Sequence, residues 1–168
     1  MVAWRRWLVA ALMPAALLSG CGLQRGLDGS VAGQGATTAP TIVGTDLGGR
    51  HVDTTSMSSH PRVIDFWASW CGPCRAEQGD LNRLHDRYAP HGVGFLGVDL
   101  RDDAASARAF VDEFRVAYPS VPDDGALAGS YDVAAPPEII IVDGGGRIVK
   151  RLLGTTVGLA ETLDGLLR

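Results

Sequence analysis

The sequence predicts an α/β fold in which helices cover a central mixed β-sheet. Apolar runs of strand length occupy residues 63–67, 93–98 and 138–142, and the segments between and after them carry apolar side chains at helical spacing. A DGGG turn at residues 143–146 joins the third run to another strand-like segment, as in an antiparallel hairpin. The order of elements is therefore βαβ, a helix and then ββα, which requires parallel and antiparallel strand pairs in one sheet.

The first elements are a hairpin, a buried strand and a helix. Residues 41–52 predict an N-terminal hairpin, because the turn-forming sequence DLGGR at residues 46–50 divides two short extended segments. Residues 63–67 are apolar except for Asp65, as expected of a central strand that is buried on both faces. The helix that follows has apolar positions at helical spacing as far as Tyr88.

The middle of the chain continues this alternation. Residues 93–98 predict a second core strand that ends at Asp99. Asp102 or Asp103 can cap the next helix, which runs to about Phe114.

The last part of the chain predicts two short elements, a hairpin and a closing helix. Residues 118–121 form a short extended piece, and residues 126–131 form a short helix that a Pro-Pro dipeptide terminates. Residues 147–153 return antiparallel after the DGGG turn, and apolar spacing across residues 159–167 predicts an amphipathic helix.

The composition limits the number of domains and the kinds of partner. A chain of 168 residues accommodates one core domain with appendages. The formal net charge is −4, without a basic block or interleaved aromatic residues, so nucleic acid is not an expected partner. The four histidines lack metal-ligand spacing and no second Cys or His pair accompanies the CxxC motif, so no metal site is predicted.

Residues 1–20 have the parts of a secretory signal peptide. Positive charges within residues 1–6 precede a short apolar stretch at residues 8–18, and small residues precede Cys21. The sequence LSGC resembles the lipobox of bacterial lipoproteins, which implies that Cys21 is lipidated and becomes the mature N-terminus. The alternative is an ordinary cleaved signal peptide with an incidental cysteine.

Three segments are therefore expected. They are a lipoprotein signal peptide at residues 1–20, the lipidated cysteine with a flexible tether at residues 21–40, and a folded domain at residues 41–168. The tether is rich in Gly, Ala, Ser, Thr and Gln and has no apolar periodicity. The lipid would hold the domain at the outer face of the cytoplasmic membrane.

The sequence WCGPC at residues 70–74 lies between the first core strand and the helix after it. A CxxC pair at a strand-to-helix turn places the first sulfur where free backbone N–H groups and the helix dipole stabilise a thiolate. Cys71 is therefore predicted to attack a partner. Cys74, one helical turn later, is close enough to close a disulfide and release that partner.

Three neighbours of the cysteines are candidate substrate-binding residues. Gly72 permits close approach of a backbone, and Pro73 suits the first turn of a helix. Trp70 is expected either to line the substrate groove or to pack against the protein.

Two carboxylates are candidates for proton transfer. Burial of Asp65 without a cationic partner would raise the pKa of its carboxyl, so that it can exchange a proton near neutral pH. Glu77 follows Cys74 by three residues and lies on nearly the same helical face. The alternatives are a structural aspartate satisfied by backbone or water, and a solvent-exposed helix glutamate.

Four segments together resemble one known family. They are VIDFWASWCGPC at residues 63–74, RAE at 75–77, the strand and helix at 93–114, and YDVAAPPEIIIVDGGGRIV at 131–149. Residues 41–168 look like the thioredoxin fold. More narrowly, they are similar to the membrane-tethered TlpA/ResA/DsbE branch of extracytoplasmic thiol-disulfide oxidoreductases, in which a helix is inserted after the second core strand.

The resemblance implies further roles for named residues. Asp65 matches the aspartate that assists deprotonation of the resolving cysteine, and Glu77 matches an acidic residue beside the disulfide. Pro137 matches a cis-proline that presents its backbone to an extended substrate. Pro136 departs from the family, because it lacks the N–H that would pair with the substrate. Weaker or different peptide binding is expected unless Pro136 is itself the cis residue.

The function that the resemblance implies is membrane-anchored thiol-disulfide exchange outside the cytoplasm. The Cys71–Cys74 dithiol would reduce disulfides of exported proteins, with cytochrome c maturation as a candidate setting, since Pro137-Glu138 resembles that branch. A membrane electron-transfer partner of the thiol-disulfide type would supply electrons. We expect a monomer that needs no cofactor beyond its redox-active disulfide.

Three other functions compete with this prediction. A thiol-dependent peroxidase on the same fold would need one peroxidatic cysteine in its own pocket, and a disulfide-forming enzyme would run the exchange in the oxidising direction. A non-enzymatic binding lipoprotein would not need both sulfurs.

Overall fold

The computed structural model describes residues 37–168; the predicted signal peptide, Cys21 and residues 22–36 of the predicted tether lie outside this part. The strands are β1 Val43–Thr45, β2 His51–Asp53, β3 Arg62–Trp67, β4 Gly94–Leu100, β5 Ser120–Asp123, β6 Glu138–Val142 and β7 Ile148–Leu153. The α-helices are α1 Gly72–Tyr88, α2 Ala104–Phe114, α3 Ala126–Ser130 and α4 Leu159–Leu166. None of the helices within residues 37–168 is long and apolar enough to cross a membrane.

A five-stranded sheet in the order β5-β4-β3-β6-β7 forms the centre of the domain. β3 is parallel to β4 and β4 to β5, whereas β6 is antiparallel to β3 and to β7. β1 and β2 form a separate antiparallel hairpin. The structure confirms the mixed sheet and the N-terminal hairpin that the sequence predicts.

β3 is the central strand, and all of its residues are buried. Successive side chains of a strand point to opposite faces. Ile64 and Phe66 therefore enter the core shared with α3 and the N-terminal hairpin, whereas Val63 packs with Leu81 of α1 and Leu163 of α4. Both faces of the strand are covered by apolar elements, which explains its nearly continuous apolar sequence.

α1 begins at the cysteine motif. Cys71 is the N-cap residue, and Pro73 lies in the first turn, where its missing N–H leaves no helical hydrogen bond unmade. Cys74, Gln78 and Leu81 are buried at intervals of three and four residues, which is the spacing of one helical face. The face of α1 that carries the second cysteine is thus the face packed into the domain.

α2 is the helix predicted between the second core strand and the next extended segment, and it is capped by Asp103 rather than Asp102. One carboxylate oxygen of Asp103 accepts the N–H groups of Ala105 at 2.9 Å and Ser106 at 3.1 Å. These contacts satisfy two of the free donors at the helix start. Asp102 is left to make a different contact, which is described with the active site.

Two strand boundaries differ from the predictions. Asp99 does not end β4, because its position pairs with Trp67 in β3 and Pro122 in β5, and the strand continues for one more residue. Backbone pairing does not depend on side-chain polarity, so a buried aspartate is accommodated in the ladder. β5 begins at Ser120 rather than at Tyr118, which leaves Tyr118 in the preceding loop with its side chain buried.

Two turns share the sequence pattern D-x-G-G-R and the same contacts. In the turn between β1 and β2, one oxygen of Asp46 accepts the N–H groups of Gly48 at 2.9 Å and Arg50 at 2.8 Å, and the other accepts Nε of Arg50 at 2.9 Å. In the turn between β6 and β7, Asp143 accepts the backbone N–H and the Nε of Arg147 at 2.8 and 3.0 Å. Each turn is held by one buried carboxylate.

The domain makes ordered contacts before its expected start near Thr41. Thr38 forms an isolated bridge with Arg147, and the N–H of Ala39 donates to the carbonyl of Gly146 at 2.8 Å. The carbonyl of Thr37 accepts the N–H of Ile148 at 2.9 Å. The first described residues therefore pair with the turn between β6 and β7, although the sequence assigns them to the tether.

Candidate active site

Cys71 and Cys74 form a disulfide at the N-terminus of α1, with their Cα atoms 5.3 Å apart. Both side chains are buried, with exposed fractions of 4% and 2%. The Sγ of Cys71 accepts the backbone N–H of Cys74 at 3.2 Å, so the first sulfur occupies the N-cap site. A thiolate at this position faces unsatisfied N–H groups and the positive end of the helix dipole. The geometry therefore suits Cys71 to be the more acidic sulfur once the disulfide is reduced.

α2 covers the disulfide. Ala107 and Phe110 of α2 belong to the same apolar cluster as the two cysteines and Trp67. The rings of Trp67 and Phe110 stack with their centroids 4.4 Å apart. The helix that the sequence identified only as an insertion thus supplies part of the wall around the sulfurs.

The turn before Cys71 is tied to the loop that leads into α2. The carboxylate of Asp102 accepts the backbone N–H of Ser69 and, at 2.9 Å, its hydroxyl. The Nε1 of Trp70 donates to the carbonyl of Arg101 at 3.3 Å, while 60% of Trp70 remains exposed. Trp70 is thus anchored at one atom and exposed over most of its ring. Trp70 is therefore not packed in the core, and its place in a substrate groove stays a prediction.

Asp65 lies in the middle of β3 with an exposed fraction of 2%. One of its oxygens accepts the hydroxyl of Tyr118 at 2.8 Å, and the other has no hydrogen-bond partner. Burial raises the pKa of the Asp65 carboxyl to about 7, which the Tyr118 hydrogen bond opposes and the charge of Glu77 reinforces. Among residues 37–168 no cation opposes this rise in pKa, so the Asp65 carboxyl can change protonation near neutral pH.

Glu77 is partly buried on α1, and its Oε1 is buried without a hydrogen-bond partner. Burial raises the pKa of the Glu77 carboxyl to about 7. Its environment is therefore unlike that of a freely solvated helix glutamate. The charge of Glu77 disfavours the charged form of Asp65, so the protonation of Asp65 depends on that of Glu77.

Asp99 is a third buried carboxyl near the redox turn. It lies at the end of β4 beside Trp67, with an exposed fraction of 2%, and its Oδ1 has no hydrogen-bond partner. Burial, together with the charge of Asp102, raises the pKa of the Asp99 carboxyl to about 7. The sequence marks Asp99 only as the end of an apolar run.

The proline loop lies at the same end of the sheet as the disulfide. β6 starts at Glu138, which pairs antiparallel with Phe66, and the CxxC turn follows the end of β3. The Pro136-Pro137 bond is cis, so the cis residue is Pro137. Pro136 has no N–H to offer a substrate strand, and the carbonyl of Pro137 accepts the N–H of Gly154 at 3.0 Å.

Three residues that organise the site were not identified from the sequence. Ser69 holds Asp102, Tyr118 contacts Asp65, and Gln78 contacts Tyr118. These three contacts join residues that are 33, 53 and 40 positions apart, respectively. The only signal was polarity at positions where the helical or strand pattern calls for apolar side chains, as at Gln78 on the buried face of α1.

The arrangement is that of a reversible two-electron centre. A dithiol at a helix N-terminus can attack a disulfide and then close on itself, and a buried carboxyl of raised pKa can carry the proton. Within residues 37–168, no three His, Cys, Asp or Glu side chains are grouped to hold a metal ion. The fold and the site define a thiol-disulfide oxidoreductase of the thioredoxin type.

Comparison with known proteins gives the same class. The Redoxin family matches residues 34–166. The thiol-disulfide oxidoreductase ResA of Bacillus cereus is 28% identical over 131 residues, which are 77% of this chain and 75% of that protein. The thiol:disulfide interchange protein DsbE homolog of Paracoccus denitrificans is 37% identical over 123 residues, 71% of this chain and 66% of that protein.

A solved structure agrees with the fold. The crystal structure of the thioredoxin domain of a thiol-disulfide oxidoreductase from Bacteroides vulgatus superposes with a TM-score of 0.72. It is 26% identical and aligns with 79% of this chain and 97% of that one. The chain belongs to the Redoxin family and is a thiol-disulfide oxidoreductase of the ResA and DsbE type.

Proposed function

We propose that this protein is a lipid-anchored, extracytoplasmic enzyme that reduces disulfides in exported proteins. The observation that carries the proposal is the Cys71–Cys74 disulfide at the N-terminus of α1, with the buried Asp65 near it in sequence. The predicted signal peptide of residues 1–20, followed by Cys21, supports the extracytoplasmic location. The Gly-Pro dipeptide between the cysteines supports the reducing direction, because reducing thioredoxins carry the same pair. The reaction uses no cofactor besides the cysteine pair.

The reaction has two exchange steps. The Cys71 thiolate attacks one sulfur of a client disulfide, and the other client sulfur leaves as a thiolate that takes a proton from water. Cys74 then gives its thiol proton to the Asp65 carboxylate, and the new thiolate attacks Sγ of Cys71. The Cys71–Cys74 disulfide forms, the second client sulfur leaves, and Asp65 releases its proton to solvent. Two electrons have passed from the dithiol to the client.

The disulfide must then be reduced again. A membrane electron-transfer partner of the thiol-disulfide type supplies two electrons and two protons through its own dithiol. The CxxC turn, which would meet this partner, is also the turn that meets the client. The two partners therefore compete for one surface, and a monomer suffices for both reactions.

Trapping tests the roles of the cysteines. Cys74→Ser should accumulate a mixed disulfide with the client through Cys71, whereas Cys71→Ser should form none, since the remaining thiol is not at the N-cap. Non-reducing electrophoresis and mass spectrometry of the trapped species identify the bonded cysteine and the client. Trapping through Cys74 would reverse the assignment of attacker and resolver.

The reduction potential tests the direction. Equilibration of the Cys71/Cys74 pair with dithiothreitol or glutathione gives the potential, and about 30 mV corresponds to a tenfold change in the equilibrium constant. A potential close to that of thioredoxins would support the reducing direction. Reduction of insulin disulfides by the protein would support it as well. A strongly oxidising potential would favour the disulfide-forming alternative, and rapid consumption of hydrogen peroxide would favour the peroxidase.

The membrane anchor is tested at Cys21. Metabolic labelling with radioactive palmitate should mark the wild-type protein, and the label and the membrane association should both disappear in Cys21→Ser. If cell fractionation finds the Cys21→Ser protein still in the membrane and unlabelled, the lipoprotein prediction is contradicted.

The clients are proposed to be fewer than those of a general thioredoxin. Pro136 removes one backbone donor from the loop that would pair with an extended substrate, and α2 narrows access to the sulfurs. A disulfide in apocytochrome c is the client that we propose, because Pro137-Glu138 resembles the branch that acts in cytochrome c maturation. Loss of c-type cytochromes in a strain that carries Cys71→Ser is the expected phenotype.

A further inference from the structure

A chain of side-chain amides, with Gln78 buried and Asn82 partly buried, leads from the backbone to the Asp65 carboxyl. The Nε2 of Gln78 donates to the Tyr118 hydroxyl oxygen at 3.1 Å and to Oδ1 of Asn82 at 3.0 Å. The Tyr118 hydroxyl in turn donates to Asp65 at 2.8 Å. These side chains come from β3, α1 and the loop before β5, and none of them is a cysteine or touches the client in the reaction proposed above.

The backbone determines the orientation of the Asn82 amide. Its Nδ2 donates to the carbonyls of Phe114 at 2.9 Å and Arg115 at 3.2 Å, and its Oδ1 accepts the N–H of Ala117 at 3.3 Å. If the amide were flipped, its NH2 group would face the N–H of Ala117, and its oxygen would face the carbonyl oxygens of Phe114 and Arg115. Asn82 must therefore present its oxygen to Gln78.

This orientation is passed on to Gln78 and Tyr118. Because Gln78 meets the oxygen of Asn82, the nitrogen end of its amide lies at the contact and also faces the Tyr118 hydroxyl oxygen. That oxygen accepts from Gln78, so its single hydrogen is free to point toward Asp65. The other acceptor within reach of the hydroxyl is Oε1 of Gln78 at 3.4 Å, a longer contact than the one to Asp65.

We propose that Asn82, Gln78 and Tyr118 form a directional hydrogen-bond chain that holds the Tyr118 hydroxyl as a donor to Asp65, and so sets the pH at which Asp65 accepts a proton from Cys74. A fixed donor stabilises the carboxylate, whereas a freely rotating hydroxyl could also accept a hydrogen bond from the protonated acid. Tyr118 is a positioning residue, since it acts through Asp65. The inference rests on the proposed role of Asp65 as proton acceptor.

The surroundings of Asp65 leave few other groups that could set its protonation. Its cross-strand neighbours are Gly97 in β4 and Ile139 in β6, which carry no charge. On α1, Glu77 raises the pKa of Asp65, while the hydrogen bond from Tyr118 lowers it. The disulfide carries no charge, and the pKa of Tyr118 itself is raised well above 10 by burial, so its hydroxyl stays protonated as a donor.

One further titratable side chain faces the chain of amides from α1. The imidazole of His85 lies near the Tyr118 ring, with the ring centroids 6.1 Å apart, and packs edge-on against Phe95. Its polar contact is between Nδ1 and Oδ1 of Asp86, 3.4 Å apart, and not with the Tyr118 hydroxyl. A His85→Gln variant can therefore exclude the imidazole as the source of a pH limb.

The decisive variant removes one oxygen atom. Tyr118→Phe deletes the donor and should move the titration of Asp65 upward by about one pH unit, because the carboxylate loses its only hydrogen bond. Gln78→Met, which keeps the length of the side chain, should produce a smaller upward shift, since the hydroxyl can then turn. Tyr88→Phe is the matched control, because the Tyr88 hydroxyl is buried at the far end of α1 and donates to Asp164 at 2.7 Å.

The titration is measured directly in the oxidised protein. Carbon-13 NMR of protein labelled at the aspartate carboxyl follows Asp65, assigned by its absence in Asp65→Asn, and glutamate-specific labelling follows Glu77 separately. Upward shifts in Tyr118→Phe and Gln78→Met, with none in Tyr88→Phe, support the proposal. The proposal is overturned if the titration of Asp65 in Tyr118→Phe is unchanged or moves to lower pH. If Tyr118→Phe does not fold, an unchanged Asp65 titration in Gln78→Met overturns the proposal instead.

The kinetic consequence separates this inference from the proposed function. The rate at which Cys74 resolves a Cys71 mixed disulfide should show the same upward shift of its pH limb in Tyr118→Phe. A wild-type protein that exchanges no disulfides would overturn the proposed function, whatever the NMR titration shows. If the wild-type protein exchanges disulfides and its Asp65-dependent pH limb of resolution does not move in Tyr118→Phe, the inference is overturned. The proposed function is not affected by that result.

Discussion

The two D-x-G-G-R turns and the redox site each contain buried carboxyl groups. The turns surround theirs with several hydrogen-bond donors, whereas the redox site provides few. Asp46 and Asp143 each accept two backbone N–H groups and an arginine guanidinium. Asp65, in contrast, has one hydroxyl donor and an oxygen with no partner, and Glu77 and Asp99 also have an unpartnered oxygen.

The pKa values follow the donors. Burial acts against ionisation of Asp46, but the hydrogen bonds and charge of Arg50 outweigh it and lower the pKa of the carboxyl. The pKa of Asp143 is lowered in the same way, first by the backbone N–H of Arg147. The pKa of Asp65 is raised to about 7 by burial that few donors offset. Deeper burial and fewer hydrogen-bond donors together separate a carboxyl that can exchange protons from a structural carboxylate.

The largest expected effect is on the pH dependence of stability. Folded Asp65 keeps its proton up to about pH 7, whereas the unfolded chain releases it near 3.8, so this residue makes the free energy of unfolding fall as pH rises between these values. Asp65→Asn should remove that fall. Relative to wild type, the variant should gain up to about 4 kcal/mol between pH 4 and pH 8. Urea unfolding of the oxidised proteins measures this, and a difference that stays constant with pH would contradict it.

The next effect is on catalysis. Asp65→Asn should slow resolution of the mixed disulfide by about 100-fold at pH 7, because Cys74 loses its proton acceptor. Rapid-quench analysis of a preformed Cys71 adduct measures this step. Asp143→Asn serves as a control, since Asp143 lies at the other end of β6, and it should resolve the adduct at the wild-type rate. Equal rates in all three proteins would remove Asp65 from the mechanism.

A turn carboxylate should show the reverse pattern. Asp46→Ala leaves three donors without their acceptor and should cost about 2 kcal/mol of stability at pH 7, with no change in exchange rate. Because the pKa of folded Asp46 is lowered, its contribution is present above the unfolded value of about 3.8 and is lost as pH falls through the folded value. Denaturant midpoints at pH 7 and pH 3 test this. A stabilised variant would contradict the comparison.

The smallest effect concerns the link between two active-site carboxyls. Glu77→Gln removes the charge that raises the pKa of Asp65, so the pH limb of resolution should move downward by about half a unit. Stopped-flow rates across pH 5 to 9 measure the limb. An upward movement, or a loss of rate as large as that of Asp65→Asn, would show that Glu77 takes part in proton transfer itself.

The sequence was sufficient for the elements whose signals are local. The apolar run around Asp65 predicted β3, and the cysteine motif predicted the start of α1. Both signals can be recognised from a few consecutive residues. The end of β4 was misjudged at Asp99, since the ladder follows backbone pairing rather than side-chain polarity. Local pattern could not choose between Asp102 and Asp103 as the cap of α2 because either residue fits the helix start.

The supports of the site could not be predicted in the same way. The contact of Tyr118 with Asp65 joins residues 53 positions apart, and that of Asp102 with Ser69 joins residues 33 apart. Such pairs depend on the relative placement of strands and loops, which periodicity does not specify. The sequence therefore located the disulfide pair and one buried carboxyl of raised pKa, but not the side chains that contact them.

The early contacts of Thr37 and Ala39 bear on how the enzyme would meet its partners. They join the turn between β6 and β7, at the end of the sheet opposite the disulfide and roughly 20 Å from it along the strands. The tether proposed for residues 21–40 would therefore join the domain at the end of the sheet that lies away from the CxxC turn. A client could then approach the CxxC turn from the end of the sheet that the tether does not reach, with α2 as the wall on one side of the sulfurs.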